Sequence, residues 1–241
     1  MPIVFRKNIA AGTELSIWRI AESSEQLYSK LQLDERERAV FDSFKNQHKR
    51  SLHWLGSRVL LRTLLNTDKY INLKIDEHRK PYLANLPHQV SISHSHDFAA
   101  VMVSLAGPVG VDIEEISPKI EKIARRFLLP EELSFIAHKA DIGHATDIGT
   151  TVSIGHTAGP NRTGASQSAR LQHLYACWSI KEAIYKWHGK GGLAFQGGII
   201  LQSFPLEKEG TVRANVLLDG QWTEIKAYYR EFEGYMLAWC Y

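Results

Sequence analysis

The chain of 241 residues has little cysteine, little excess charge and no long apolar run. Its two cysteines, Cys177 and Cys240, stand far apart and lack the spacing of a metal site, so we expect buried free thiols in a reducing compartment. The N-terminus has no apolar core of signal-peptide length, and no run approaches the roughly 18 apolar residues of a membrane helix. The sequence therefore predicts a cytoplasmic protein without a membrane segment.

The net charge is only +3, which limits what the overall electrostatics can indicate. A mild basic excess suits an acidic partner or a phosphate-rich ligand, and it is too small to indicate nucleic acid by itself. The chain is 44% hydrophobic and 23% charged, as in ordinary globular domains. Its length fits one large domain or two lobes of about 100 residues each.

The most informative stretch is 109–116, where valine and isoleucine alternate with small or acidic residues. That period is typical of a strand with one apolar face, so Asp112 and Glu114 share the other face, about 7 Å apart. Neighbouring carboxylates repel unless something positive lies between them. A hard divalent cation such as Mg²⁺ would resolve that conflict and also accept phosphate oxygens. The alternative is an exposed edge strand with a polar outer face.

A second informative stretch, residues 175–188, has apolar residues at helical spacing and ends at glycines. Glu182 and Lys186 are four residues apart and therefore lie on one helix face, with Lys181 adjacent in sequence. The alternative is a surface ion pair contributing a few tenths of a kcal/mol. That alternative explains the pair, but neither the small residues packed around it nor the glycines that follow.

Basic and hydroxyl-bearing residues elsewhere are candidates for binding an anion. Lys49, Arg50, Arg58 and Arg62 lie on a predicted helix without matching acids, either as a solvated face or as ligand contacts. Ser93 and His94 end a predicted strand, where phosphates often meet hydroxyls and backbone amides.

Periodicity and turn residues predict the remaining elements. The expected helices are 23–31, 34–44, 48–65, 119–127 and one beginning near 129, and the expected strands are 13–20, 73–75, 89–96, 98–104, 198–204, 211–218, 222–229 and 235–241. Residues 140–170 are rich in Gly, Ser and Thr and predict a mobile surface insertion. Metal binding by His144 and His156 is a weaker alternative for this segment.

The ordered motifs resemble those of the 4′-phosphopantetheinyl transferases, in their larger, two-lobed, monomeric type. The resemblance covers roughly residues 35–195 outside the insertion, and its motifs are His-Arg-Lys-Pro at 78–81, Ser-Ile-Ser-His-Ser at 91–95, Gly-Val-Asp-Ile-Glu at 110–114 and Trp-Ser-Ile-Lys-Glu-Ala-Ile-Tyr-Lys at 178–186. It implies an α/β (α+β) fold of two similar lobes, 1–107 and 108–241, with pseudo-twofold symmetry and the active site in the cleft between them.

The resemblance also implies a reaction. The 4′-phosphopantetheine group of coenzyme A would be transferred to a serine of an apo acyl or peptidyl carrier protein, releasing adenosine 3′,5′-bisphosphate. Asp112, Glu114 and Glu182 would hold Mg²⁺, or Mn²⁺, against the diphosphate. Glu182, or a water on the metal, would take the serine proton, and Lys186 would reach a phosphate oxygen. The enzyme would be a cytoplasmic monomer that needs neither nucleic acid nor a membrane.

The implied coenzyme A contacts come from both lobes and comprise Lys49, Arg50, Lys80, Ser93, His94, Lys181 and Lys186. One departure from the family pattern is Arg79, which stands where the family usually has glycine before Lys-Pro. If that turn needs a positive φ, arginine there is strained; otherwise it adds a cation near the nucleotide. The basic segment 119–127 is expected to meet acidic groups that flank the carrier serine.

Two other functions fit parts of the pattern. A Mg²⁺-dependent phosphodiesterase or nuclease could use Asp-x-Glu followed by a glutamate and a lysine, but it predicts a basic, aromatic-interleaved stripe that the modest net charge does not favour. A non-catalytic coenzyme A-binding protein would be expected to have lost a carboxylate or the helix lysine. Asp112, Glu114, Glu182 and Lys186 are all present.

Overall fold

The structure is a computed structural model that describes residues 3–44, 47–141 and 160–241. The N-terminal half contains β1 (Ile3–Ala10), β2 (Thr13–Arg19), α1 (Ser24–Tyr28), α2 (Glu35–Asp42), α3 (His48–Leu65), β3 (Leu73–Ile75), β4 (Pro81–Leu83), β5 (Gln89–Ser95) and β6 (Phe98–Ser104). The C-terminal half contains β7 (Gly110–Glu115), a 3₁₀ turn (Pro118–Lys122), α4 (Ala124–Phe127), α5 (Pro130–Asp141), α6 (Pro160–His188), a short turn (Phe195–Gly198), β8 (Ile199–Leu201), β9 (Glu209–Leu218), β10 (Gln221–Phe232) and β11 (Tyr235–Cys240). The predicted mixed α/β class is confirmed.

Each half of the chain builds its own antiparallel sheet. The N-terminal sheet has the order β1-β2-β6-β5 and the C-terminal sheet the order β7-β11-β10-β9-β8, while β3 and β4 form a separate hairpin. Strands β5 and β7 are therefore edge strands of different sheets, and they contact each other where the two halves meet. The carboxylate-bearing strand thus lies at the junction of the halves.

The apolar faces of the strands explain how the layers stack. One face of the N-terminal sheet packs against α3, with Leu55 and Val101 in the shared cluster. Its other face packs against the C-terminal sheet, with Met102 and Val111 in one cluster. The far side of the C-terminal sheet packs against α6, including Ile180. The layers run helix, sheet, sheet, helix, so β7 lies between the N-terminal half and α6.

Local signals for the helix ends are confirmed. Ser23 and Asp34 each form a capping box at the start of α1 and α2. Helix α3 ends at Asn66, whose left-handed conformation stops the helix.

Other predicted boundaries are corrected. Strands β1 and β4 were not expected, and the expected helix over 119–127 is a 3₁₀ turn followed by the short helix α4. Part of the predicted 140–170 insertion is also helical, because α6 already begins at Pro160. A helix propagates more easily than it starts, so the packed segment around residue 180 can extend a polar N-terminal stretch. Residues 142–159, with His144 and His156, lie outside the described residues.

Within the ranges that the structure describes, no helix is both long and apolar enough to cross a membrane. The lobe boundary at residue 107 and the pseudo-twofold symmetry stay predictions.

Candidate active site

Gly110 determines how closely the carboxylate strand approaches helix α6. A Cβ atom at this position would lie 1.9 Å from the carbonyl oxygen of Ala183 and 2.7 Å from the backbone nitrogen of Trp187. Only glycine permits so close an approach of two backbones. The helix backbone therefore packs directly against β7, which brings the face of Glu182 and Lys186 next to Asp112.

Asp112, Lys186 and Ser93 form a compact triangle at the junction. The Lys186 ammonium donates to Asp112 Oδ1 at 2.7 Å and to Ser93 Oγ at 3.0 Å, and the Ser93 hydroxyl donates to the same carboxylate oxygen at 2.9 Å. Asp112 is 1% exposed, and its Oδ2 is buried without a hydrogen-bond partner. Because a buried, unsatisfied carboxylate oxygen is costly, this atom is suited to receive a cation.

Glu114 and Glu182 extend the acidic group from opposite sides. Burial, followed by the negative charge of Asp112, raises the pKa of each of these carboxyls to about 7. The charge of Lys186 lowers both pKa values in part, and a hydrogen bond from Trp178 also does so for Glu114. Strand β7 and helix α6 thus bring together three carboxylates that resist being ionised at the same time.

The donor set fits a hard divalent cation. The three carboxylates offer only oxygen, the ligand atom that Mg²⁺ and Mn²⁺ prefer, and the free Asp112 Oδ2 adds a buried oxygen without a partner. Across the described parts of the chain, no group of three or more His, Cys, Asp or Glu side chains is gathered tightly enough to form a ready-made site. The Lys186 ammonium lies on Asp112 instead. The predicted metal ligands stay a prediction.

His94 follows Ser93 at the end of β5 and stacks on a histidine that the motifs do not include. The rings of His94 and His53 lie 4.4 Å apart and nearly parallel, and His53 Nε2 contacts the carbonyl oxygen of His96 at 2.6 Å. Burial, followed by the charges of His53 and Lys186, lowers the pKa of His94 to about 4. Its imidazole is therefore neutral near pH 7. No sequence pattern distinguishes His53 from the other residues of α3.

A cleft of about 330 Å³ opens between the β3–β4 hairpin and helix α6, bordered by Arg79, Lys80, Glu182, Tyr185 and Lys186. Arg79 has a φ of +67°, so the turn does require the left-handed conformation that glycine adopts most easily. Of the two alternatives for Arg79, the structure shows the strained, left-handed one.

Lys80 borders this cleft, but its ammonium is directed at the end of helix α6. It donates to the carbonyl oxygens of Lys186, of Trp187 at 3.4 Å and of Val109 at 3.3 Å. Three acceptors match the three N–H donors of an ammonium group, and a cation is favourable at a helix C-terminus. This arrangement differs from the predicted contact with the diphosphate of coenzyme A.

The prediction for Lys181 is wrong. Its side chain is 0% exposed and donates to the carbonyl oxygens of Phe127 at 2.7 Å and Phe195 at 2.9 Å, and to Glu132 Oε2 at 2.8 Å. Successive helix residues are rotated by about 100°, so the neighbour of Glu182 faces the core of the C-terminal half instead of the cleft. Lys181 cannot contact a ligand from there.

The basic residues of α3 divide into two groups. Lys49 and Arg50 are exposed at its first turn, and Arg50 lies over the Phe44 ring at 4.6 Å. Lys49 is four residues before His53 and thus shares its helix face. Arg58 does have a matching acid, because it pairs with Glu37 at 3.5 Å. The structure thus brings Asp112, Glu114, Glu182, Lys186, Ser93 and His94 together, and it leaves Lys49 and Arg50 on the adjoining surface.

Known proteins are similar to this chain over its C-terminal half and, in some cases, over most of its length. Residues 108–240 match the family model described as the 4′-phosphopantetheinyl transferase superfamily. A 4′-phosphopantetheinyl transferase of Bacillus subtilis is 29% identical over 122 residues, which are 50% of this chain and 42% of that protein. The chain thus spans less than half of that relative.

Two further relatives match over more of the chain. The 4′-phosphopantetheinyl transferase ffp of Bacillus subtilis is 27% identical over 227 residues, 91% of this chain and 85% of that protein. The gsp transferase of Aneurinibacillus migulanus is 26% identical over 184 residues, 76% of this chain and 63% of its own. These names confirm the predicted enzyme family. The chain belongs to the 4′-phosphopantetheinyl transferase superfamily.

Proposed function

We propose that this protein transfers the 4′-phosphopantetheine group of coenzyme A to a serine hydroxyl of an apo acyl or peptidyl carrier protein. The observation that carries the proposal is the grouping of Asp112, Glu114, Glu182 and Lys186 beside the cleft between the β3–β4 hairpin and helix α6. Three coupled carboxylates with a single lysine suit a reaction that moves a phosphoryl group, in which charge develops on phosphate oxygens.

Asp112, Glu114 and Glu182 are the residues that would hold Mg²⁺ or Mn²⁺. When bound, the metal would polarise the phosphoryl oxygens of coenzyme A and offset their negative charge. Burial and then the charge of Asp112 raise the pKa values of Glu114 and Glu182, and a bound cation would offset the repulsion from Asp112. Coenzyme A is a co-substrate and is consumed in the reaction.

The side chains of the cleft supply the remaining chemistry. The serine oxygen attacks the phosphorus that carries the pantetheine arm, and the bond from that phosphorus to the bridging diphosphate oxygen breaks. Adenosine 3′,5′-bisphosphate leaves with that oxygen. Glu182 accepts the serine proton as a general base. Lys186 donates to the phosphate oxygens as their charge increases, and Ser93 and His94 line the same site.

A basic surface next to strand β7 favours a partner protein with an acidic surface. Lys119, Lys122, Arg125 and Arg126 are exposed on the 3₁₀ turn and helix α4, directly after the strand that carries the carboxylates. Such a surface speeds encounter with an acidic carrier. Exchanging Lys122 and Arg126 for glutamate should raise the KM for the carrier and leave that for coenzyme A unchanged. The exposed Lys208→Glu is the matched control, and equal carrier KM values in all variants would refute this docking surface.

The direct test is intact mass spectrometry of apo carrier proteins incubated with the enzyme, coenzyme A and Mg²⁺. We expect a gain of one phosphopantetheine group, and its loss with EDTA or in Glu182→Gln. Glu131→Gln, an exposed carboxylate in the first turn of α5, serves as the matched control and should retain activity. The same assay ranks fatty-acid, polyketide and peptide carriers.

Other outcomes separate the competing functions. Hydrolysis of coenzyme A or of a nucleic acid without any gain in carrier mass would favour the phosphodiesterase. Binding of coenzyme A with neither reaction would favour a non-catalytic binding protein. We further propose that the enzyme is a cytoplasmic monomer, for which sedimentation velocity with and without a carrier is the test.

A further inference from the structure

The contact between β5 and β7 is made by serine side chains. The backbone of β5 pairs with β6 and that of β7 pairs with β11. Ser91, Ser93 and Ser95 occupy alternate positions of β5, so their side chains share one face of the strand. They are 2%, 7% and 8% exposed. Three hydroxyls are therefore buried in a row beside the carboxylate strand.

These hydroxyls hold β7 at two points of its backbone. Ser91 Oγ accepts the backbone N–H of Val111 at 3.0 Å, and Ser95 Oγ accepts that of Glu115 at 3.1 Å. Both bonds join residues 20 positions apart, so the two strands run in step and in the same direction. Each hydroxyl replaces a backbone carbonyl as the partner of an N–H that would otherwise be orphaned at a sheet edge.

The two backbone bonds bracket the residues that carry the proposed chemistry. Asp112 and Glu114 lie between Val111 and Glu115, and Ser93, between the two bonding serines, donates to Asp112. The Ser95 hydroxyl also lies 3.4 Å from Glu114 Oε2. A shift of β7 along β5 would therefore move both carboxylates relative to Lys186 and Glu182 on α6.

We infer that Ser91 and Ser95 are positioning residues that fix the register of the carboxylate strand against the N-terminal half. They act through the backbone of β7, and so set where Asp112 and Glu114 stand for metal binding. The expected effect on metal affinity rests on the proposed function, whereas the hydrogen bonds that join Ser91 and Ser95 to the β7 backbone do not depend on it. Neither serine contacts the reacting atoms in this role.

The test compares Ser91→Ala and Ser95→Ala with Ser104→Ala. Ser104 is also a buried serine, and its hydroxyl bonds to Thr13 and accepts the N–H of Ala106 at 3.0 Å. It lies at the end of β6 opposite to Phe98, the residue that pairs with Ser95. Two quantities are measured on the full chain. One is the Mn²⁺ dissociation constant from electron paramagnetic resonance without coenzyme A, and the other is the hydrogen exchange of the Val111 and Glu115 amides by NMR.

We expect faster exchange of the Val111 amide in Ser91→Ala and of the Glu115 amide in Ser95→Ala. Loss of such supporting contacts typically weakens metal affinity by about 10-fold or more, and we expect that loss in both variants. Ser104→Ala should lower the melting temperature without changing the Mn²⁺ affinity. Ser95→Thr, which keeps the hydroxyl, should restore both amide protection and metal affinity.

Unchanged protection of both amides would overturn the inference, and so would Mn²⁺ affinities that match that of Ser104→Ala. A wild-type protein that binds no Mn²⁺ would instead contradict the metal in the proposed function. The amide exchange would still decide whether the two serines hold the strand.

Discussion

Lys181 and Lys186 lie on the same helix, and each pairs with a carboxylate that is almost fully buried. The Lys181–Glu132 pair is 0% and 1% exposed, and the Lys186–Asp112 pair is 26% and 2% exposed. Glu132 also accepts the backbone N–H groups of Leu129 at 2.8 Å and Leu201 at 2.9 Å. The Lys181–Glu132 pair is therefore satisfied entirely by protein groups.

The Lys186–Asp112 pair lacks this completeness. Asp112 keeps one buried oxygen without a partner, and its charge adds to burial in raising the pKa values of Glu114 and Glu182. A satisfied ion pair fixes the fold, whereas an unsatisfied one at a cleft is available to a ligand. The comparison teaches that two similar ion pairs can be assigned opposite roles by counting the partners of their carboxylates.

The largest expected effect is on folding, at the satisfied pair. Lys181→Met should lower the free energy of unfolding by about 3–5 kcal/mol, because it leaves Glu132 buried and uncompensated. Adding Glu132→Gln should recover part of this loss, since the amide oxygen can still accept a backbone N–H. Urea denaturation measures both. Wild-type stability in the single variant would contradict a structural role.

The next effect is on catalysis, at the unsatisfied pair. Lys186→Met should reduce the rate of phosphopantetheine transfer by about 10²–10³-fold, the usual result of removing a donor to developing charge. The variant should lose some stability, because Asp112 then lacks its charged partner, but it should stay folded, because Ser93 still donates to Asp112 and the Lys186 position is partly open to solvent. Single-turnover transfer and near-UV circular dichroism check the two parts. An unfolded Lys186→Met would make the two lysines alike and break the comparison.

The pH dependence should differ between metal-free and metal-bound protein. Glu114 and Glu182 have pKa values near 7 when folded, against 4.5 as ordinary carboxyls, so their contribution to stability is fully present below pH 4.5 and lost as pH rises through about 7. The metal-free melting temperature should fall over this range, and Mg²⁺ should restore it at pH 8 more than at pH 5. Scanning calorimetry measures these shifts, and the Glu114→Gln/Glu182→Gln double variant should show a flatter dependence.

A third lysine sharpens the distinction between ligand contact and structural contact. Lys80→Met removes the charge at the end of α6 and should lower stability by about 1–2 kcal/mol, as expected for a cation at a helix C-terminus. Its affinity for coenzyme A, measured by calorimetric titration, should change little. A large loss of affinity with unchanged stability would restore the original prediction that Lys80 contacts the diphosphate.

The smallest effect is expected at the hairpin turn. Arg79→Gly removes the backbone strain of an arginine in the left-handed conformation. It should therefore raise the free energy of unfolding by up to about 1 kcal/mol. Urea denaturation of this variant beside Lys74→Gly, a substitution in a nearby strand, isolates the effect of the turn. Lower stability in Arg79→Gly would show that the arginine side chain contributes more than the strained backbone costs.

The local parts of the site were predictable from the sequence. Alternation assigned Asp112 and Glu114 to one strand face, and four-residue spacing assigned Glu182 and Lys186 to one helix face. Lys181 was misplaced because lysine is almost never fully buried unless it is paired, and its partner Glu132 lies 49 residues away. No local pattern contains a contact across that distance.

The junction between the halves was not predictable for the same reason. His53 meets His94 only after α3 has packed on the N-terminal sheet, and Ser91 meets Val111 only after the two sheets have come together. Gly110 belongs to the predicted motif, but only the structure shows why it is glycine: the backbone of α6 lies directly against it. The sequence thus predicts the chemistry of the site, and the tertiary packing decides which groups share it.

The most direct test of this account is intact mass spectrometry of an apo carrier protein treated with coenzyme A, Mg²⁺ and either the wild-type protein or Lys186→Met. The account predicts one added phosphopantetheine group with the wild type, and almost none over the same time with a Lys186→Met protein that is demonstrably folded. Full modification of the carrier by folded Lys186→Met would contradict it, because the unsatisfied ion pair would then have no part in the reaction.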